Sequence, residues 1–213
     1  MPARRFPLAK PLARASILVV CTANVCRSPL AQFVLTDTLR RTPGFESVQV
    51  SSVGTQPVKN GEVCELVRTT HSGVGWNEFV EKHRTHAATP FKIGQATLIL
   101  TASVEMRGMI AAIDPGARSR TFTLREALLL GQDFDPAGLG PAAAVEAFAA
   151  HAHANRGIVP IQAPRRSLLH WGARDEDPLT IQDGHNGDRR QHRATIASVV
   201  ETSTEIANLI TGA

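Results

Sequence analysis

Cys21 and Cys26 enclose a four-residue segment, Thr22-Ala23-Asn24-Val25, that runs on into Arg27 and Ser28. A cysteine separated by five residues from Arg-Ser has the parts of an oxyanion site with a nucleophile at its base. Backbone N–H groups of Thr22, Ala23, Asn24, Val25, Cys26 and Arg27 can curl around an anion, and a helix N-terminus adds partial positive charge. The Arg27 guanidinium grips two oxygens at once. The same donors favour Cys21 as a thiolate, poised to attack phosphorus in line. A random arrangement of this composition produces such a pattern roughly 3 or 4 times in a hundred, so its placement in the chain has to decide.

The placement supports the site. Ile17 to Val20 form an unbroken apolar run, the signature of a strand buried on both faces of a parallel sheet. A helix follows at once: Ser28 is expected to cap it, Pro29 fits its first turn, and Leu30, Phe33, Val34 and Leu39 recur at helical spacing. The competing reading, two small core cysteines and a solvated arginine, leaves the coincidence of strand end, loop and helix start unexplained.

Further along, strands are expected at Val48–Val53, Ala96–Ala102 and Ser119–Thr123. Helices are expected after Gly61, after Thr89-Pro90, after Ser103, over Leu124–Leu130, from Pro141 to about Ala154, and over Arg193–Leu209. His71–Glu81, with Gly73 and Gly75, reads as a loop. Val104, Met106, Met109, Ile110 and Ile113 form the expected inner side of the helix after Ser103. The alternation predicts an α/β fold: one three-layer domain whose central four-stranded parallel sheet carries helices on both faces, with Cys21 at a carboxyl strand end where ligands of such sheets bind.

Composition narrows the class. A chain of 213 residues has room for one generous domain, and 43% hydrophobic with 20% charged residues is ordinary for a globular protein. No apolar run reaches the roughly 20 residues that span a bilayer, and residues 1–15 read as a basic tail rather than a signal peptide. Three cysteines make no disulfide framework and fit the reducing cytoplasm. The net charge of +4 is scattered, which argues against nucleic acid and for attraction to anionic substrates. His151, His153 and His185 lack ligand spacing, so no metal is expected. Arg165-Arg166 reads as a solvated loop.

Val20 to Pro29 resemble the signature Val-Cys-x-Gly-Asn-x-Cys-Arg-Ser-Pro of the low-molecular-weight protein tyrosine phosphatase family, of the bacterial type, with Ala23 in place of the glycine. Val50-Ser51-Ser52-Val53-Gly54-Thr55, His83-Arg84 and Asp177-Pro178 are similar to further family segments in the same order. The resemblance covers roughly 16–131 and 171–212, so the phosphatase domain is expected at 16–213, with an Ala/Pro-rich insertion at about 132–170.

The resemblance implies Cys21 as nucleophile, Arg27 as phosphate clamp, and Asp177 as the acid that protonates the leaving oxygen and then deprotonates the hydrolytic water. Asp175 is the rival acid. A thiolate working with a neutral carboxylic acid implies a bell-shaped pH profile with an acidic-to-neutral optimum. Residues 22–28 are the implied phosphate binders, with Ser28 donating to the thiolate and Asn24, Ser52 and His83 supporting the loop. Cys26 is implied as a redox partner of Cys21, or else as loop packing alone. No cofactor is implied. The implied reaction is phosphomonoester hydrolysis through a phosphocysteine, on a phosphorylated protein or small aryl phosphate.

The residues also depart from the family pattern. Leu179-Thr180 stand where aromatic residues commonly wall a phosphotyrosine slot, leaving Leu179, Trp76 or Trp171 as surfaces for a ring. Val25 resembles the phosphotyrosine-type loop rather than the threonine-bearing loop of phosphoarginine phosphatases. Ala23 requires a negative φ or tolerated strain. An arsenate reductase on the same loop, for which only Cys64 lies outside the loop as a resolving cysteine, a phosphoarginine phosphatase on the same fold, and a catalytically silent phosphate-binding module stay open as alternatives. No residue pattern assigns an oligomeric state.

Overall fold

The computed structural model describes residues 15–161 and 177–213. Residues 1–14, Arg165, Arg166, Trp171 and Asp175 lie outside them. Four parallel strands, β1 (Ser16–Cys21), β2 (Gln49–Gly54), β3 (Leu98–Thr101) and β4 (Thr121–Thr123), form one sheet in the order β2-β1-β3-β4. β1 pairs with β2 on one side and β3 on the other, so its backbone groups are satisfied from both directions.

That central position explains the apolar run. Ile17 and Val19 point into one layer with Leu98, Leu100 and Phe122, while Leu18 and Val20 point into the other with Val53 and Ile99. Both faces are dry, so no polar residue interrupts the strand. The first layer is covered by α1 (Arg27–Arg40), α6 (Leu124–Leu130), α7 (Pro141–Asn155) and α8 (Arg189–Thr211), and the second by α4 (Pro90–Gln95) and α5 (Val104–Ile113). α1 fixes the site most directly. It buries Leu30, Leu35 and Leu39 almost completely, each worth about 1.5–3 kcal/mol of removed apolar surface, and it packs along α8.

α8 runs for 23 residues, opening where Asp188 accepts a hydrogen bond from Gln191 N–H and closing at Gly212 in the left-handed region. Ile196, Val199, Ile206 and Ile210 form its buried stripe. α7 buries Ala144, Val145, Phe148, Ala149 and Ala152 in the same layer, so this part of the 132–170 stretch is integral core. Just beyond α7, Arg156 binds buried Glu126 at 3.1 Å, donates to the Thr121 carbonyl and lies over the Phe122 ring.

Three expectations need correction. Ser28 does not cap α1: the helix begins at Arg27, with Cys26 at the capping position, and Ser28 is buried in the first turn with its hydroxyl turned to the loop. The stretch expected as a loop at 71–81 contains α3 (Trp76–Lys82). Trp76 and Phe79 stack at 5.7 Å and both meet Phe33 of α1, and this packing overrides the two glycines, of which Gly75 (φ 78°) caps the helix from the left-handed region. On α5 only Met106 and Ile110 are buried, and Ile113 is exposed. The last helix, α2 (Glu65–Thr70), is short and follows Cys64.

Candidate active site

The loop after β1 is held from below by hydrogen bonds that continue the β1–β2 pairing past the strand ends: Thr55 N–H donates to the Cys21 carbonyl at 3.0 Å and Gln56 N–H to that of Thr22 at 2.9 Å. Asn24 is the keystone. It is fully buried, with φ 58°, a left-handed conformation that asparagine tolerates better than most residues. Its backbone N–H donates to Cys21 Sγ at 3.3 Å, and its Nδ2 donates to both Ser28 and Ser52 hydroxyls at 2.9 Å. Its Oδ1 accepts from His86 N–H at 2.9 Å. Ser52 passes its own proton to Gln32 Oε1 at 2.7 Å, and Ser28 Oγ lies 3.0 Å from Cys21 Sγ. The Asn24 N–H and the Ser28 hydroxyl therefore converge on the sulfur. The left-handed residue is Asn24 and not Ala23, so the replaced glycine costs the loop no strain.

His83 is buried, with Nε2 2.9 Å from the Asn24 carbonyl, and burial holds its pKa below the ordinary 6.5. A neutral ring donating Nε2–H to that carbonyl satisfies both groups. Protonating it in the fold costs desolvation that the unfolded chain does not pay, so between the ordinary value and the lowered one the unfolded state binds more protons. Stability is therefore expected to fall as pH drops through about 6.5 and to keep falling until the lowered value is passed. Urea unfolding across this range should show a shallower decline in His83→Gln, which keeps a donor without the titration; an unchanged slope would refute it.

Gly54 ends β2 against the loop. A Cβ there would stand 2.5 Å from the Thr22 carbonyl oxygen and 3.2 Å from Asn24 Cβ, so backbone would have to move. Gly54→Ala is expected to cost about 1–3 kcal/mol of stability through overpacking. Displacing the loop by a fraction of an ångström should also lower kcat/KM by about 10²-fold, measurable on an aryl phosphate. Wild-type kinetics in this variant would contradict the argument.

Arg27 emerges from the first turn of α1 with a nearly buried side chain. Nη1 donates to the Ile181 carbonyl at 3.1 Å, and Nη2 to Asp183 Oδ2 at 2.8 Å and to Thr22 Oγ1 at 3.3 Å. Five N–H donors less these three leave Nε–H and one Nη1–H uncommitted among the described residues, enough for two oxygens of a bound oxyanion. Asp183 spends its other oxygen on His185 N–H, so the carboxylate is fixed from both ends.

The segment bearing Asp177 is drawn to the same end of the sheet. Ile181 N–H donates to the Ala102 carbonyl at 2.9 Å, and the Thr180 hydroxyl accepts from Val104 N–H. Asp177 itself is exposed, with Oδ1 accepting from Leu179 N–H at 2.8 Å. Leu179 is buried, and Trp76 is buried against Phe33 and Phe79, so neither offers the ring surface expected of it.

Cys26 turns toward α8. Its Sγ lies 3.1 Å from His192 Nε2, and Cys64 Sγ lies 3.6 Å from the same nitrogen. The neighbouring Cys26 thiol holds the Cys64 thiol below its ordinary range, while Cys64 and burial push the Cys26 thiol up. Asp183 and His192 carry no signal in the sequence: each meets its partner across more than 120 residues, and neither has a spacing rule.

A family model described as low molecular weight phosphotyrosine protein phosphatase matches residues 16–126, just over half of the chain. The chain belongs to this family. Among its relatives, a protein-arginine-phosphatase of Geobacillus stearothermophilus is 31% identical over 119 residues, 56% of this chain and 74% of that protein. The low molecular weight protein-tyrosine-phosphatase Etp of Escherichia coli K12 is 35% identical over 108 residues, 50% of this chain and 66% of Etp. The solved YwlE arginine phosphatase from Geobacillus stearothermophilus shares the fold, with a TM-score of 0.57 at 22% identity over 91% of each chain. Membership makes the chain a cysteine-dependent phosphatase, a hydrolase.

Proposed function

We propose that the enzyme dephosphorylates protein phosphotyrosine through a phosphocysteine formed on Cys21, with Arg27 holding the phosphoryl oxygens and Asp177 exchanging the protons. The observation that carries the reading is the convergence of Ser28 Oγ and Asn24 N–H on Cys21 Sγ at the mouth of a loop that leads into Arg27. In-line attack transfers the phosphoryl group to sulfur as the leaving oxygen takes the Asp177 proton. Water activated by the resulting carboxylate then releases phosphate and restores the thiolate.

Val25 in the loop favours phosphotyrosine, and the similarity to a protein-arginine-phosphatase supplies the competing substrate. Cys26 and Cys64, whose sulfurs lie within 4.8 Å of each other, supply a thiol pair for arsenate reduction, a further competitor. Among the described residues no helix is long and apolar enough to cross a membrane, and free cysteines support a cytoplasmic setting.

Phosphate release from a phosphotyrosyl peptide and from phosphoarginine, run beside arsenate reduction with an external thiol, tests the proposal. We expect kcat/KM for the phosphotyrosyl peptide to exceed that for phosphoarginine at least tenfold, with no thiol-dependent arsenite. A reversed ratio would transfer the assignment to phosphoarginine, and arsenite production without phosphate release would transfer it to reduction.

A further inference from the structure

Cys26, Cys64 and His192 arrive from three separate elements, the phosphate loop, the residue before α2, and the second turn of α8, and their donor atoms all lie within 4.8 Å of one another. The proposed hydrolysis uses none of the three side chains. Two sulfurs and an imidazole nitrogen form the donor set of borderline-soft divalent ions, zinc above all.

The spacing fits as well as the chemistry. Tetrahedral zinc with Zn–S of about 2.3 Å and Zn–N of about 2.05 Å places sulfur and nitrogen about 3.6 Å apart and two sulfurs about 3.8 Å apart. The two sulfur-to-nitrogen separations here are 3.1 and 3.6 Å. An ion between them needs the Cys26 sulfur to draw back from His192 by about half an ångström, and the two sulfurs lie within 4.8 Å of each other. We propose that Cys26, Cys64 and His192 form a zinc site on the flank of the phosphate loop, with the fourth position open toward His185.

Access and placement agree with this. Cys26 and His192 are buried and Cys64 is half-buried, so two donors are fixed by the core and the third faces the entry. The His185 ring stands edge-on to that of His192 at 5.5 Å and is exposed. Two thiolates neutralise a divalent ion, so the buried site carries no net charge. The metal would tie the loop, through Cys26, to the start of α8 and to the segment before α2. The Cys64 backbone already approaches this loop through its N–H bond to the Val25 carbonyl at 2.8 Å.

The test uses the full chain, reduced and freed of metal by a chelator, titrated with Co²⁺ as a spectroscopic probe and then with Zn²⁺. The expected result is one Co²⁺ per chain with thiolate-to-cobalt charge-transfer bands and the strong visible bands of tetrahedral coordination, displaced by Zn²⁺. Cys64→Ser should weaken Zn²⁺ binding beyond the roughly 10–100-fold that loss of an outer partner costs. Serine is a preferred helix N-cap, so this variant is expected to fold, which circular dichroism verifies. His192→Gln should weaken Zn²⁺ as well. Cys21→Ser should bind Zn²⁺ as the wild type does, which separates this site from the proposed catalytic one. The proposal is overturned by wild-type Zn²⁺ affinity in Cys64→Ser, by loss of binding in Cys21→Ser, or by a Co²⁺ spectrum without thiolate bands.

Discussion

Cys21→Ser is expected to lower kcat on an aryl phosphate by about 10⁴- to 10⁶-fold, the scale seen when a catalytic nucleophile is removed, while inorganic phosphate binds nearly as before. The two halves of this result have separate causes. A serine hydroxyl is not ionised near neutral pH, so attack on phosphorus fails. Oxyanion binding depends on other groups. Arg27 is held by Ile181, Asp183 and Thr22, and Asn24 by Ser28, Ser52 and His86, none of them through Cys21. The contacts of Cys21 Sγ to Ser28 and Asn24 are ones a hydroxyl accepts equally well. Stopped assays for turnover beside calorimetric phosphate titration check both halves. Turnover surviving within a hundredfold of wild type would remove the phosphocysteine, and lost phosphate binding would mean that the sulfur, not the loop, organises the site.

The strand, loop and helix that carry the proposed phosphate end were legible because they are local. Strand, loop and helix start fall within 15 residues, and they obey short-range rules: a buried strand is uniformly apolar, and a helix N-terminus attracts anions. The same holds for α6, whose Thr123–Glu126 capping box is visible as a spacing. What escaped is what the fold joins from afar. α3 was hidden because Gly73 and Gly75 interrupt the stretch, and only the packing of Trp76 and Phe79 on Phe33 makes the helix worth forming. Ser28 obeys the capping statistics by residue type, yet its hydroxyl is claimed by the thiol and by Asn24. Asp183 reaches Arg27 across 156 residues through a loop without periodicity. The inward turn of Leu179 is equally nonlocal: it follows Asp-Pro in sequence but is buried in the fold.

Asp177 and Asp183 lie on one segment, and leaving-group chemistry separates the roles open to them. Asp177 is exposed, four residues before the Ile181 carbonyl that anchors Arg27, whereas both oxygens of Asp183 are engaged, one by the guanidinium. A general acid matters in proportion to the basicity of the group it protonates. Asp177→Asn is therefore expected to lower kcat about 10²- to 10⁴-fold on phosphotyrosine and about tenfold or less on a nitrophenyl phosphate, whose phenolate leaves unaided. Asp183→Asn removes a positioning group instead. A looser Arg27 grips the phosphoryl oxygens less well, so KM and the inhibition constant for inorganic phosphate should rise about tenfold for every substrate, or about 1.4 kcal/mol. The two variants thus differ in which parameter moves and in whether the leaving group matters. If Asp183→Asn shows the leaving-group dependence and Asp177→Asn does not, the proton comes from the carboxylate that Arg27 holds, and the catalytic acid lies six residues further along the chain.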